Sequence, residues 1–150
     1  MVSAKQQPEA RMNVGMPLSH AVEPSAEGLR AARQLIIGSL REWSIDDRAA
    51  NATLDIANEL MTNAVQHGRP PIAVRVELDR INGTITVVVS DGSTEIARPL
   101  PYRAGLSERG LGLRIVAQLS TTWGQRPDGK GKSVWATVAT SRNRPTPWDR

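Results

Sequence analysis

Residues 72–90 constrain the fold of this chain more than any other stretch. Ile72, Val74, Val76 and Leu78 alternate with Ala73, Arg75, Glu77 and Asp79; Ile85, Val87 and Val89 alternate with Thr86, Val88 and Ser90. Side chains that alternate with period two fall on opposite faces of an extended chain, so each run reads as a strand with one face for a core. Asn82-Gly83 lies between them. Both residue types tolerate positive φ, which a tight antiparallel connection requires, so the stretch predicts a hairpin. The second run is the more apolar, which predicts a central strand. A lone hairpin is not stable in water, and its apolar face must be covered from elsewhere in the chain.

The cover comes from immediately upstream, where the period changes to 3.6. Leu54, Ala57, Leu60, Met61, Ala64 and Val65 recur at helical spacing within residues 44–68. Ser44, with Asp47 three residues on, reads as a capping box at the start. Gly68 closes the helix, and Pro70-Pro71 bars its continuation. Asp55, Glu59, Thr62, Asn63 and Gln66 fall on the opposite face, and no Lys or Arg occurs between Asp55 and Gly68. Such a face has two readings. It is the solvated side of an amphipathic helix, or a wall of carboxylate, carboxamide and hydroxyl suited to a metal ion and its polyanion. His67, in the last turn, is placed to meet free carbonyls at the helix C-terminus.

An earlier helix is predicted from Pro24-Ser25, with Ser25 as N-cap and Leu29, Ala32, Ile36, Leu40 and Trp43 as its stripe. Residues 13–22 are a candidate edge strand. Beyond the hairpin, Asp91-Gly92-Ser93 leads into a loop over residues 94–109 that holds Pro99, Pro101 and Gly105. Arg109-Gly110-Leu111-Gly112-Leu113 is a glycine turn feeding a short helix to about Leu119. A strand over 121–125, a turn over 127–131 and a last strand over 133–140 complete the pattern. The order predicts an α+β fold: a two-layer sandwich with a mixed, mostly antiparallel sheet and its helices on one face. One domain is expected over residues 12–140, between a disordered lead-in at 1–11 and a flexible tail at 141–150.

Composition removes several function classes. There is no cysteine, hence no disulfide and no thiolate ligand or nucleophile. No apolar run approaches eighteen residues, and the N-terminus lacks a signal-peptide core, which points to a cytoplasmic protein without a membrane span. The net charge is +4, carried by sixteen arginines and three lysines that are scattered rather than massed. Phe is absent and Tyr occurs once. A nucleic-acid binder would want a basic patch or aromatic stacking platforms, so the composition argues against nucleic acid as a partner. Gly129-Lys130-Gly131-Lys132-Ser133 superficially matches a P-loop but falls in a hairpin, not between a strand and a helix.

Three features remain, each with a chemical use and a plain structural alternative. Asn63 offers a neutral oxygen to Mg²⁺, a hard ion that prefers oxygen ligands, and Glu59, one turn earlier, can accept a proton. Asp91 at a strand end can accept a hydrogen bond from an exocyclic amine, or simply form a turn. Gly110 and Gly112 open a helix whose amides can approach a phosphate, although glycines in this spacing are common.

In this order the three resemble the Bergerat-fold ATPases shared by histidine kinases, gyrases and a class of heat-shock chaperones. The likeness is greatest to the anti-sigma-factor serine/threonine kinases and their stand-alone actinobacterial relatives. Glu59-Leu60-Met61-Thr62-Asn63-Ala64-Val65-Gln66-His67-Gly68 resembles their N box. Asp91-Gly92-Ser93, with Pro99 following, is similar to a G1 box, in which Ser93 and Glu95 stand where the family pattern has glycine. Gly110-Leu111-Gly112-Leu113, with Trp123-Gly124 and Gly131-Lys132-Ser133-Val134-Trp135, is similar to their G2 box and closing hairpin. Lys132 falls near where many members of the superfamily carry an adenine-side threonine. The resemblance runs from about residue 22 to 140. It implies ATP and Mg²⁺ as cofactors, Asn63 as the metal ligand and Glu59 as general base. It further implies that Asp91 and Ser93 lie at the adenine, with Arg109, Gly110, Leu111, Gly112 and Leu113 around the phosphates. The implied function is transfer of the ATP γ-phosphate to Ser or Thr of a small partner, an anti-sigma-factor antagonist, with a sigma factor as a second partner and a homodimer as a possible assembly. The alternative is a non-catalytic ATP-dependent switch that sequesters a sigma factor or other regulator.

Overall fold

The computed structural model describes residues 16–94 and 108–141, with the backbone alone described for 108–112. The lead-in at 1–11, most of the tail and the loop at 95–107 lie outside the described residues. Eight elements follow in chain order: β1 (Leu18–Val22), α1 (Ala26–Glu42), α2 (Asp47–His67), β2 (Ile72–Asp79), β3 (Thr84–Asp91), α3 (Glu108–Leu119), β4 (Thr122–Asp128) and β5 (Gly131–Ala139).

The strands form one sheet in the order β1-β2-β3-β5-β4. The alternation at 72–90 becomes its centre. Val74 pairs with Val89, Val76 with Val87 and Leu78 with Ile85, and on the far side Val87 pairs with Ala136 and Val89 with Val134. Every pairing is antiparallel, so the expected mixed sheet is corrected to an antiparallel one. The reason is connectivity: α1 and α2 together carry the chain out and back, so β2 starts at the end of the sheet where β1 stopped. The hairpin connection also differs from the expected two-residue turn. Asp79 pairs directly with Thr84, leaving a four-residue loop in which Gly83 has positive φ while Asn82 does not. The Asp79 carboxylate accepts from the amides of Ile81 and Asn82 at 3.0 and 3.1 Å and shapes the loop.

Helices α1 and α2 lie against one sheet face. Ser25 caps α1 as expected, accepting from the Gly28 amide at 2.9 Å. The cap of α2 is Asp46, not Ser44: its Oδ2 accepts from the Ala49 amide at 3.1 Å. Ser44 has φ 55°, outside the extended region that an N-cap needs, and its amide donates to the Arg41 carbonyl. Helix α2 buries Ala49, Thr53, Ile56, Ala57, Leu60, Met61 and Ala64. Ile56 and Thr53 are thus at the centre of a stripe expected to run through Leu54 and Val65, which are only partly buried. Buried Thr53 is satisfied by donating to the Ala49 carbonyl at 2.7 Å. Each large apolar side chain removed from water here contributes about 1.5–3 kcal/mol, and the core they form with Ile36, Val74, Val87, Val116 and Val138 is continuous.

Candidate functional site

Antiparallel register collects the chemically interesting residues at one end of the sheet. Asp91 ends β3, directly opposite Lys132 near the start of β5. The C-terminus of α2 arrives at the same end because β2 begins there. Contact is close. A Cβ on Gly68 would lie 2.6 Å from the Asp91 carboxyl carbon, and one on Gly131 would lie 2.0 Å from the Asp91 carbonyl oxygen. Gly68 is required by this space and not by its backbone, since its φ is −88°. The Gly92 amide donates to the Arg69 carbonyl at 2.6 Å and ties the strand end to the helix end.

Asp91 is 8% exposed. Its Oδ1 accepts from the Ser93 amide at 2.6 Å, so Ser93 acts here as the backbone clamp that aims the carboxylate. Its Oδ2 lies 3.8 Å from the Lys132 ammonium, and both side chains are 5% exposed. Sequence reasoning gave Lys132 only a neighbourhood. The available signal was parity: Asp91 is in phase with Ile85, Val87 and Val89, and Lys132 with Val134, Ala136 and Val138, so both side chains point to the helix-covered face.

The second wall is the polar face of α2. Glu59 and Asn63 are half-buried on it, while Asp55, Gln66 and His67 are exposed. Burial raises the Glu59 carboxyl above the usual carboxylate range, and the like charge of Asp55 one turn away pushes the same way. Its basicity is therefore increased. The Asn63 Nδ2 is buried and has no hydrogen-bond partner among the described residues. At about 1.5 Å rise per residue, Asn63 stands roughly 7–8 Å and Glu59 roughly 13 Å along the axis from Gly68. A ligand that reaches Asp91 at one end can thus reach both at the other.

The third wall is α3, which packs on α2. Its first turn lies at the site end, because its last residues lead into β4 at the opposite end. Helical backbone already begins at Glu108, so Gly110 and Gly112 are its third and fifth residues and not a turn ahead of it. Amides of a first turn have no intrahelical acceptor and carry the positive end of the helix dipole. Leu113 is 1% exposed in the core, so its side chain anchors the helix and does not line the site. The side chains of Arg109 and Leu111 lie outside the described residues.

These residues fit an ATP–Mg²⁺ pair. The face offers a carboxamide with an orphaned buried nitrogen, a basic carboxylate and no cation to compete with the metal. Mg²⁺ takes oxygen ligands and keeps several waters, and the Asn63 carboxamide oxygen is of that kind. Two clefts lie elsewhere, one of about 100 Å³ at Trp43, Asp46 and Arg80 and one of about 310 Å³ between α1 and α2 at Ile37, Ala50 and Leu54. Neither includes Glu59, Asn63 or Asp91.

The family model of the histidine kinase-like ATPase domain matches residues 22–138. The chain belongs to this family. Its fold is also that of two solved structures. The RsbU and RsbW domains of Rv1364c from Mycobacterium tuberculosis superpose with a TM-score of 0.64 at 18% identity, covering 83% of this chain and 32% of that one. The present chain thus spans about a third of that protein's chain. The SiaB–SiaC complex from Pseudomonas aeruginosa gives a TM-score of 0.61 at 14% identity, covering 91% of this chain and 96% of that one. A sequence search of curated proteins finds no match. As a histidine kinase-like ATPase domain, the chain is an α+β nucleotide-binding fold, and no helix among its described residues is long and apolar enough to cross a membrane.

Proposed function

We propose that this domain is a regulatory ATP-dependent protein serine/threonine kinase of the anti-sigma-factor type. The observation that carries the reading is the pairing, one turn apart on a cation-free helix face, of a carboxylate made more basic by burial with a carboxamide whose buried nitrogen has no hydrogen-bond partner among the described residues. Asn63 would hold Mg²⁺ on the phosphates, Asp91 would accept from the adenine amine, and the first turn of α3, through Gly110, would receive phosphate oxygens, with side-chain-free Gly112 leaving room for their approach. Bound Mg²⁺ supplies charge neutralisation at the transferring phosphoryl group. Glu59 takes the proton from a Ser or Thr hydroxyl of the partner as its oxygen bonds to the γ-phosphorus. The bond from that phosphorus to the bridging oxygen breaks, and ADP leaves. Positioning and electrostatics account for most of such a transfer, and a small constellation suffices.

The partner is a small regulatory protein in the cytoplasm, an anti-sigma-factor antagonist or a sigma factor. The likeness in fold to proteins named RsbW and SiaB supports this reading. The test is transfer of the γ-phosphate from radiolabelled ATP to a co-purified partner. Wild type is expected to label Ser or Thr, and Glu59→Ala is expected to lose about 100-fold or more in rate, the scale of a general base, while still binding Mg-ATP. Full-rate transfer by Glu59→Ala would overturn its role. Mg-ATP binding with no transfer to any partner would mark instead a nucleotide-gated switch that works by sequestration.

A further inference from the structure

On the core side of β3, the apolar row Ile85, Val87, Val89 ends in Asp91; on β5 the row Val138, Ala136, Val134 ends in Lys132. Opposite charges therefore close the core at the end that faces the site. Each side chain is 5% exposed and their charged atoms are 3.8 Å apart. Withdrawing an ammonium from water is costly, and an apolar residue would close the same core without that cost. We propose that Lys132 reads the purine together with Asp91, and that the pair admits 6-oxopurine nucleotides as well as adenine nucleotides. The inference rests on the nucleotide-binding reading above and adds a base preference to it.

Donors and acceptors at the C6 edge distinguish the purines. Adenine presents an amine donor at C6 beside the N1 acceptor; hypoxanthine and guanine present an O6 acceptor beside an N1–H donor. An ionised carboxylate can only accept. Alone, it suits the adenine amine and repels an oxygen in the same place. An ammonium has three N–H donors and no acceptor, so the Asp91–Lys132 pair offers both kinds of partner side by side. Carboxylate to amine with ammonium to N1 serves adenine. Ammonium to O6 with carboxylate to N1–H serves a 6-oxopurine. The Ser93 amide fixes one Asp91 oxygen from the other side, so the carboxylate is held in place for either order. A threonine in place of Lys132 would remove the charge that makes O6 acceptable.

Calorimetric titration of the full chain with Mg-ATP and with Mg-inosine triphosphate tests this directly, since the two differ at the C6 edge. Wild type is expected to bind them with dissociation constants within about tenfold of each other, and Lys132→Thr to weaken the inosine nucleotide about 10- to 100-fold more than ATP, the scale of one charged hydrogen bond. Lys132→Arg, which keeps the charge and fills the same pocket, is expected to retain both ligands. Should Lys132→Thr fail to fold, the wild-type ratio and the Arg variant decide alone. Wild-type preference for ATP well beyond tenfold, toward the roughly 10⁴-fold or more of a site built for one hydrogen-bonding pattern, would overturn the inference while leaving the ATP site intact. Equal weakening of both nucleotides in Lys132→Thr would overturn it too. Absence of binding by either nucleotide would overturn the nucleotide-binding reading itself.

Discussion

A carboxylate half-buried beside a second carboxylate is a poor contributor to stability and a good base, and Glu59 is both. Burial first and Asp55 second raise its pKa above the ordinary value of 4.5. A group whose folded pKa is raised binds its proton more tightly in the native state than in the unfolded chain. Unfolding stability from Glu59 is therefore highest below pH 4.5 and declines as pH rises through the folded pKa. Glu59→Gln, which keeps the shape and removes the charge, is expected to leave the domain slightly more stable than wild type at pH 7, with the difference vanishing below pH 4.5. Urea unfolding at pH 4 and pH 7 checks this; a variant less stable at both values would contradict it. Asn63 shows what one residue discloses in sequence and what it does not. Its place on a cation-free face was legible because Glu59 and Asn63 share a helix and their spacing is fixed. Lys132 was not legible as the partner of Asp91, because forty residues separate them and only strand register brings them together.

At the scale of elements, short-range signals and tertiary context divide cleanly. Helix α1, with its Ser25 cap, and the two strands at 72–90 followed from periodicity and turn chemistry within a few residues. The start of α2 did not. Ser44 and Asp47 have capping-box spacing, yet the chain takes a further turn at Ser44 and Asp46 caps instead. Asp46 also accepts from the Ser141 amide at 2.9 Å and so binds the chain after β5 to the helix start. Burial works against ionisation of Asp46, but the amides of Ser141 and Ala49 and the nearby Arg48 outweigh it and hold the carboxyl below its usual 3.8. The sign is opposite to that of Glu59: the stability Asp46 contributes is present above pH 3.8 and is lost as pH falls through its lower folded pKa. Asp46→Ala is expected to lower unfolding free energy at pH 7 by about 1–2 kcal/mol, the range of an N-cap, with the loss shrinking in strong acid. Urea denaturation of the two proteins at pH 7 and pH 2 measures it, and an unchanged midpoint at pH 7 would contradict the assignment. The start of α3 did not follow either: the glycines at 110 and 112 read as a turn over 109–113 ahead of the helix, whereas helical backbone already begins at Glu108.

Across the whole molecule, the antiparallel sheet does two jobs with one face. Its middle, from Val74 to Val138, is apolar and covered by helices. Its end, where α2, β2, β3, α3 and β5 begin or stop, holds every residue for which a ligand role is argued. Among the described residues the Asn63 Nδ2 has no hydrogen-bond partner, so its removal breaks no bond from that nitrogen there, and a change of within about 0.5 kcal/mol in stability is expected. Ligand and fold can thus be separated at this residue. Calorimetric titration of the chain with Mg-ATP, with Asn63→Ala alongside, is the most direct test of the central claim. One saturable site is expected in wild type, weakened by removal of Mg²⁺ with EDTA, and at least about tenfold weaker in Asn63→Ala, a loss of about 1.4 kcal/mol, with an unchanged melting temperature. No heat of binding in wild type at millimolar Mg-ATP, or equal affinity in Asn63→Ala, would contradict it.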